Sequence, residues 1–385
     1  MQRRRVYAAV IAVSFIGLVT APGGASADNS ARRGPPVKVL LDGLTGPKGL
    51  AFNQFRNLIV SSGAYSDPSD PSSPPPSPVV EYVLRGPARG TVNAVSGPAD
   101  LVDVAISPVD GTGWGIGGGF LFHQLADGTV VQVLDITAYQ AGDPDPTDQD
   151  QPPFPEESNP YGLVIAWNGD ALITDAANND LIRVSPDGTA RTAARFDVEM
   201  VKTDHLPDIP DFAGLPDEIP AEAVPTTVAL GPDGYIYVGE LKGFPFRPGT
   251  SNVWRIKPGV ENALCSVNTP DPNCTLYSSG FTAIQDIAFH WATGKMYVYE
   301  LAEAGVLAYE AGFETGQFPP AVLLEVKRRW HDDDANRRGE GHHDKGREIA
   351  TGQLSQPGGI VVDWNGQIYV TDGMFTGGRL LRVPK

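Results

Sequence analysis

One unit recurs six times along the chain: GLAFNQFRNLIVSS (49–62), DVAISPVDGTGWGIGG (103–118), GLVIAWNGDALITD (162–175), TVALGPDGYIYVGE (227–240), DIAFHWATGKMYVYE (286–300) and GIVVDWNGQIYVTD (359–372). Each copy is a short apolar strand, a polar turn and a second strand rich in Tyr, Ile and Val, the signature of a hairpin. Between copies the chain supplies further strand-like runs, such as LIRVSPDGTARTAARF (181–196), NVWRIKPG (252–259) and TLYSSGF (275–281). Four strands per repeat make the blade of a β-propeller. The last repeat runs out at RLLRVPK with three strands, while VKVLLDGL (37–44) precedes the first repeat and has no hairpin of its own. Pairing these two closes the ring and removes a sheet edge that would otherwise invite aggregation. The expected fold is therefore all-β: a six-bladed β-propeller closed by pairing an N-terminal strand with the C-terminal blade. A doubly wound α/β fold is excluded by the lack of a sustained 3.6-residue apolar period between strands. Residues 66–78, 142–158, 204–220 and 327–348 are rich in Pro or charge, so they read as excursions from one domain spanning 28–385.

Residues 1–27 place Arg3, Arg4 and Arg5 before an uncharged apolar run that ends in Ala25-Ser26-Ala27. That order is an export signal of the general secretion type. No later segment is apolar for long enough to span a bilayer, so a secreted or cell-envelope protein that is not an integral membrane protein is expected. Cleavage removes three of 29 basic residues and none of 46 acidic ones, leaving a strongly acidic mature chain. Nucleic acid, which demands a basic footprint, is an excluded partner class; a small molecule, a cation or an extracytoplasmic protein is compatible, and a monomer is expected. The two cysteines, Cys265 and Cys274, flank a Pro-Asp-Pro turn and are expected to form a disulfide in the oxidising exterior.

Aligning the copies puts Ser62, Gly118, Asp175, Glu240, Glu300 and Asp372 in one column after the second strand, and Gly49, Asp103, Gly162, Thr227, Asp286 and Gly359 in another at the start of the first. Both columns fall on one face of a propeller, so Asp103, Asp175, Glu240, Asp286, Glu300 and Asp372 are expected around one mouth of the channel, with Asn159 nearby. Clustered carboxylates of this kind suit a divalent cation, Ca²⁺ above all, with Asp175, Glu240, Glu300 and Asp372 as ligands. The competing reading is local: acids at strand ends accept hydrogen bonds from their own turns, Asp175 near Asn178 and Asn179, Glu240 near Gly243. His331, His342 and His343 lie with Asp332, Asp333, Asp334 and Asp344 in one charged insertion, where a solvated loop competes with transition-metal binding. Gly113, Gly115 and Gly118 satisfy G-x-G-x-x-G, yet no phosphate-binding helix follows. DPDPTDQD (143–150) lacks the central Gly and closing Glu of a calcium loop. Trp167, Trp291 and Trp364 recur at one place in their units, which suggests packing between blades.

The segments NPYGLVIAWNGDALITDAANNDLIRV, VPTTVALGPDGYIYVGELKGFPFRPG and SGFTAIQDIAF resemble the exported ScyD/ScyE family, and more loosely the repeats resemble NHL-type six-bladed propellers. The likeness covers nearly all of the mature chain, with VGELKGFPF and NPYG its most specific marks. It implies the fold and export, but no established activity. The expected role is a binding or interaction module acting through an acidic channel mouth. The alternative is a metal-dependent hydrolase of gluconolactonase type, in which Asp175, Glu240, Asn159 and Asp372 hold a metal that activates water.

Overall fold

A computed structural model describes residues 35–62, 79–95, 97–98, 100–150, 152–210, 212–326, 346–375 and 377–385. Residues 1–27, where an export leader is expected, and the His-rich part of the insertion at 327–348 lie outside them. Six antiparallel sheets follow one another around a central axis. Their innermost strands are Pro47–Phe52, Asp103–Ile106, Pro160–Ile165, Pro225–Leu230, Ile284–His290 and Pro357–Val362. Each packs against the innermost strands of the blades before and after it, which makes the ring.

The N-terminal strand Lys38–Thr45 pairs with Gly377–Val383 as the outermost strand of blade 6, with Leu41 opposite Leu380 and Asp42 opposite Arg379. Ring closure by the chain's two ends thus follows the arithmetic of strands read from the sequence. Additions to the repeat lie on insertions: a hairpin of Glu199–Lys202 with Glu218–Ala221, and two helices among the described residues, Ile136–Ala141 and Val306–Thr315. Blade 3 gains a fifth strand, Ala263–Cys265, which runs parallel to Ala190–Phe196. Cys265 is bonded to Cys274, whose strand Cys274–Phe281 closes blade 4, so the disulfide staples two neighbouring blades across a Cα separation of 5.1 Å.

Tight approach of the inner strands is set by glycine. A Cβ on Gly49 would lie 2.6 Å from the Val104 amide nitrogen, and one on Gly359 would lie 2.5 Å from the Lys48 carbonyl oxygen. These glycines open their units because a side chain there would hold adjacent blades apart. In blades 1, 3 and 6 the same residue donates its N–H to a hydroxyl of the second strand: Gly49 to Ser61 at 3.0 Å, Gly162 to Thr174 at 3.0 Å and Gly359 to Thr371 at 2.7 Å.

The tryptophans depart from expectation. Trp167, Trp291 and Trp364 are 62%, 45% and 66% exposed, so they are not buried between blades. Each sits in the turn past the end of its inner strand. Trp167 and Trp291 instead meet edge to face, with ring centroids 5.6 Å apart.

Candidate functional site

The carboxylates that follow the second strands are buried and individually engaged. Asp175 Oδ1 accepts from the Asn159 N–H at 2.7 Å and from Ala177 and Asn178, while Oδ2 accepts from the Ser158 hydroxyl at 2.6 Å and Gln140 Nε2 at 3.2 Å. Glu240 Oε2 accepts from Lys242 Nζ at 2.9 Å and the Asn252 N–H at 3.2 Å, and Oε1 accepts from Trp254 Nε1. Glu300 Oε1 takes the Thr282 N–H at 2.7 Å. Asp372 accepts from the Ser355 and Gln356 N–H groups at 2.9 and 3.0 Å and pairs with Arg379. Each acid holds the loop beside its own strand end, and no group of three or more His, Cys, Asp or Glu side chains with metal-holding geometry stands together among the described residues. Asn159 is half-buried and serves Asp175 through its backbone.

Blade 2 shifts the column by one. Asp103 pairs with Ile116 as Gly162 pairs with Thr174, so the counterpart of Asp175 is Gly117 rather than Gly118. The glycine run hid this register, because it offers no side-chain alternation to read.

The start column behaves differently. Asp103 in blade 2 accepts from the Leu163 N–H of blade 3 at 2.8 Å, and Asp286 in blade 5 accepts from the Ile360 N–H of blade 6 at 2.7 Å and the Thr227 hydroxyl of blade 4 at 2.6 Å. Blades 2 and 5 are opposite in a ring of six, so the two carboxylates face each other across the axis while each ties neighbouring blades.

One position earlier stand Lys48, Val102, Tyr161, Thr226, Gln285 and Gly358. Lys48 Nζ lies 3.5 Å from the centroid of the Tyr161 ring, and the Tyr161 hydroxyl donates to Gln285 Oε1 at 2.9 Å. These residues come from blades 1, 3 and 5, so their contacts are chords across the channel. The sequence reading passed over all three. The signal was present, since shifting the start column by one residue shows four polar or aromatic side chains where a strand start would otherwise be apolar.

Enclosure shifts the charges here. Burial pushes the Asp103 carboxyl up to about 8, helped by the facing Asp286 and opposed by the Leu163 and Val104 amides and by Lys48. Burial lifts Asp286 to about 6 against its three hydrogen-bond donors. Lys48 is pulled down to about 7 by burial, with Asp103 opposing. Titratable groups perturbed toward neutrality cluster at functional sites, which makes these residues the candidate site.

A pH dependence follows. An unfolded aspartate ionises near pH 4, whereas folded Asp286 and Asp103 hold protons to about 6 and 8. Their contribution to stability therefore falls as pH rises from about 4 to 8. Lys48 acts in the opposite sense: charged in the unfolded chain to about pH 10 but neutral above about 7 when folded, it costs stability fully below pH 7 and progressively less toward pH 10. Lys48→Met is expected to stabilise most at or below pH 7 and to lose that gain near pH 10. Urea unfolding at both extremes checks this; a gain independent of pH would show that no buried ammonium was relieved.

Above this cluster the loops form an apolar layer that includes Leu241, Phe244, Phe246, Val306 and Tyr309. Tyr161 belongs to the same layer, so the channel end is capped by apolar side chains with a polar floor beneath.

The comparisons agree with this architecture. An NHL repeat model matches residues 354–381. No curated protein matches the sequence. Among solved structures, a gluconolactonase from Xanthomonas campestris is similar at 13% identity and a TM-score of 0.51, covering 94% of this chain and 99% of that one. A putative oxidoreductase (glucose dehydrogenase) from Thermus thermophilus is similar at 17% identity and a TM-score of 0.51, covering 91% of this chain and 100% of that one. At such identities the likeness carries fold alone. With the sixfold ring and its closing strand, these matches make the chain an NHL-like six-bladed β-propeller.

Proposed function

We propose that this is an exported propeller of ScyD/ScyE type whose role is binding, with a small polar ligand or an extracytoplasmic partner held at the channel end where Lys48, Asp103, Tyr161, Gln285 and Asp286 converge. The observation that carries this reading is the meeting of side chains from four blades on the axis, with Lys48 drawn to about 7. Both family-like motifs contribute to that end: NPYG supplies Tyr161, and VGELKGFPF supplies Glu240, Lys242, Phe244 and Phe246. The acids foreseen as ligands serve in this reading as ties that hold the floor and its loops in place.

The second reading, a metal-dependent hydrolase, keeps Asp175, Glu240, Glu300 and Asp372 as ligands for Ca²⁺ or another divalent cation. Each would have to exchange its present partners for the cation. Similarity of fold to a gluconolactonase supports the scaffold such an enzyme would need, not the reaction. The readings part on metal: the test is divalent-metal content and melting temperature of the exported protein with and without chelator, with glucono-δ-lactone and p-nitrophenyl acetate assayed for turnover alongside.

A further inference from the structure

The contact between blades 1 and 2 is unlike the others. In five blades the second-strand residue opposite the core position of the inner strand is β-branched: Val60 opposite Leu50, Ile173 opposite Leu163, Val238 opposite Val228, Val298 opposite Ile287 and Val370 opposite Ile360. All five are at most 1% exposed, and each fills the seam toward the preceding blade. Blade 2 has Gly115 there, opposite Val104. Two residues earlier the same strand has Gly113, where the other blades have Leu58, Ala171, Ile236, Met296 and Ile368.

Two side chains are thus missing from one seam. Among the described residues the buried core shared by blades 1 and 2 consists of Ile59, Val79, Leu101 and Val104, against eleven residues between blades 2 and 3. Leu101 takes up the space at Gly115, its Cδ1 2.6 Å from where a Cβ would stand, and a cleft of about 230 Å³ remains beside Gly113, walled by apolar residues that include Ile59, Val104, Trp114 and Phe122.

The cleft also contains a fixed carboxylate. Glu81 Oε1 accepts from Asn53 Nδ2 at 2.7 Å and Asn57 Nδ2 at 2.9 Å, and Oε2 accepts from Asn93 Nδ2 at 2.9 Å. These amides hold the carboxyl below its ordinary range despite partial burial, so it is ionised at neutral pH. Three neutral donors orient the charge without cancelling it, and Glu81 has no basic partner among the described residues.

We propose that the cleft between blades 1 and 2 binds a small organic cation, its apolar body in the space beside Gly113 and its ammonium against Glu81. The space is below the roughly 300–1,000 Å³ of drug-sized sites, so the occupant is a small molecule. Charge complementarity sets its sign: a neutral analogue gains only the apolar contacts, and an anion meets Glu81. This site is separate from the channel cluster and does not depend on the reading given to it.

Titration calorimetry of the full exported chain tests the idea with three probes of one shape: 2-phenylethylammonium, 2-phenylethanol and phenylacetate. The ammonium is expected to bind saturably, the alcohol about tenfold more weakly or worse, and phenylacetate not at all. Glu81→Gln is expected to bring the ammonium down to the level of the alcohol. Gly113→Val, whose Cβ would meet the flexible end of Gln124 at 3.1 Å, is expected to abolish binding while melting no lower than wild type. Gly115→Val serves as a second variant of the wall, since its Cβ would stand 2.6 Å from Leu101 Cδ1 and that side chain, which also lines the cleft, must shift. Tyr161→Phe leaves all of this unchanged, which separates the cleft from the channel. Absence of saturable binding at millimolar ammonium, equal binding of the alcohol, or undiminished binding by a folded filled variant would each overturn the proposal.

Discussion

Glu240→Ala lowers the free energy of unfolding by about 3–5 kcal/mol, the loss expected when one member of a buried ion pair is removed. Glu240 and Lys242 are 1% and 2% exposed, and their charges lie 2.9 Å apart. Burial alone would pull the Lys242 ammonium down; Glu240 and Glu199 together more than offset it, so its pKa lies above the ordinary lysine value. Without Glu240 the ammonium keeps only Glu199 at 3.0 Å, itself partly exposed, and the Trp254 and Asn252 N–H groups lose their acceptor inside the fold. Urea unfolding followed by tryptophan fluorescence measures the effect. A loss below about 1 kcal/mol would place the pair among exposed ion pairs of little worth and remove the structural role given to Glu240. One practical consequence concerns function: loss of any activity in Glu240→Ala reports first on the fold, so Glu240→Gln, which keeps shape and an acceptor, is the better probe of chemistry.

Gly49→Ala is expected to cost about 3 kcal/mol, the upper end for overpacking in a close-packed interior. The added methyl carbon would lie 2.4 Å from Ser61 Oγ, 2.6 Å from the Val104 nitrogen and 2.7 Å from the Asp103 Cα. Two of the three are backbone atoms of the next blade, which cannot rotate away as a side chain can. Gly234→Ala is the control on backbone strain, for Gly234 has a φ of +82° and no atom within reach of its Cβ. The ring account requires the Gly49 variant to lose clearly more than the Gly234 variant in thermal melts. Equal losses would mean that conformational freedom, not blade-to-blade approach, explains the glycine.

The ring was legible in the sequence because each hairpin repeats its own turn chemistry, and the closing strand because the last blade is one strand short. The additions were not. The Glu199–Ala221 hairpin, the parallel strand Ala263–Cys265 and the helix Val306–Thr315 lie in insertions that occur once, so no repeat calibrates them. Of the candidate site, the columns located Asp103 and Asp286 on the axis and Asp175, Glu240, Glu300 and Asp372 at strand ends. Spacing left two readings open for an acid at a strand end, a cation ligand or a tie to its own turn, and the hydrogen bonds found are of the second kind; what it did not convey is that an acid at a strand start reaches the next blade. Lys48 and Tyr161 escaped notice because they stand one position before the aligned column of acids, and only the closure of the ring brings blades 1, 3 and 5 together.

The central claim is that the buried carboxylates are internal ties of a metal-independent scaffold, leaving the axial cluster free to bind. Melting the protein as purified, after dialysis against EDTA, and after Ca²⁺ is restored tests this most directly, because an ion bound only to the native state must stabilise it. The account predicts one melting temperature under all three conditions and no stoichiometric divalent metal in the purified protein. A stoichiometric cation whose removal lowers the melting temperature, with recovery on adding Ca²⁺, would contradict it and return Asp175, Glu240, Glu300 and Asp372 to the role of ligands.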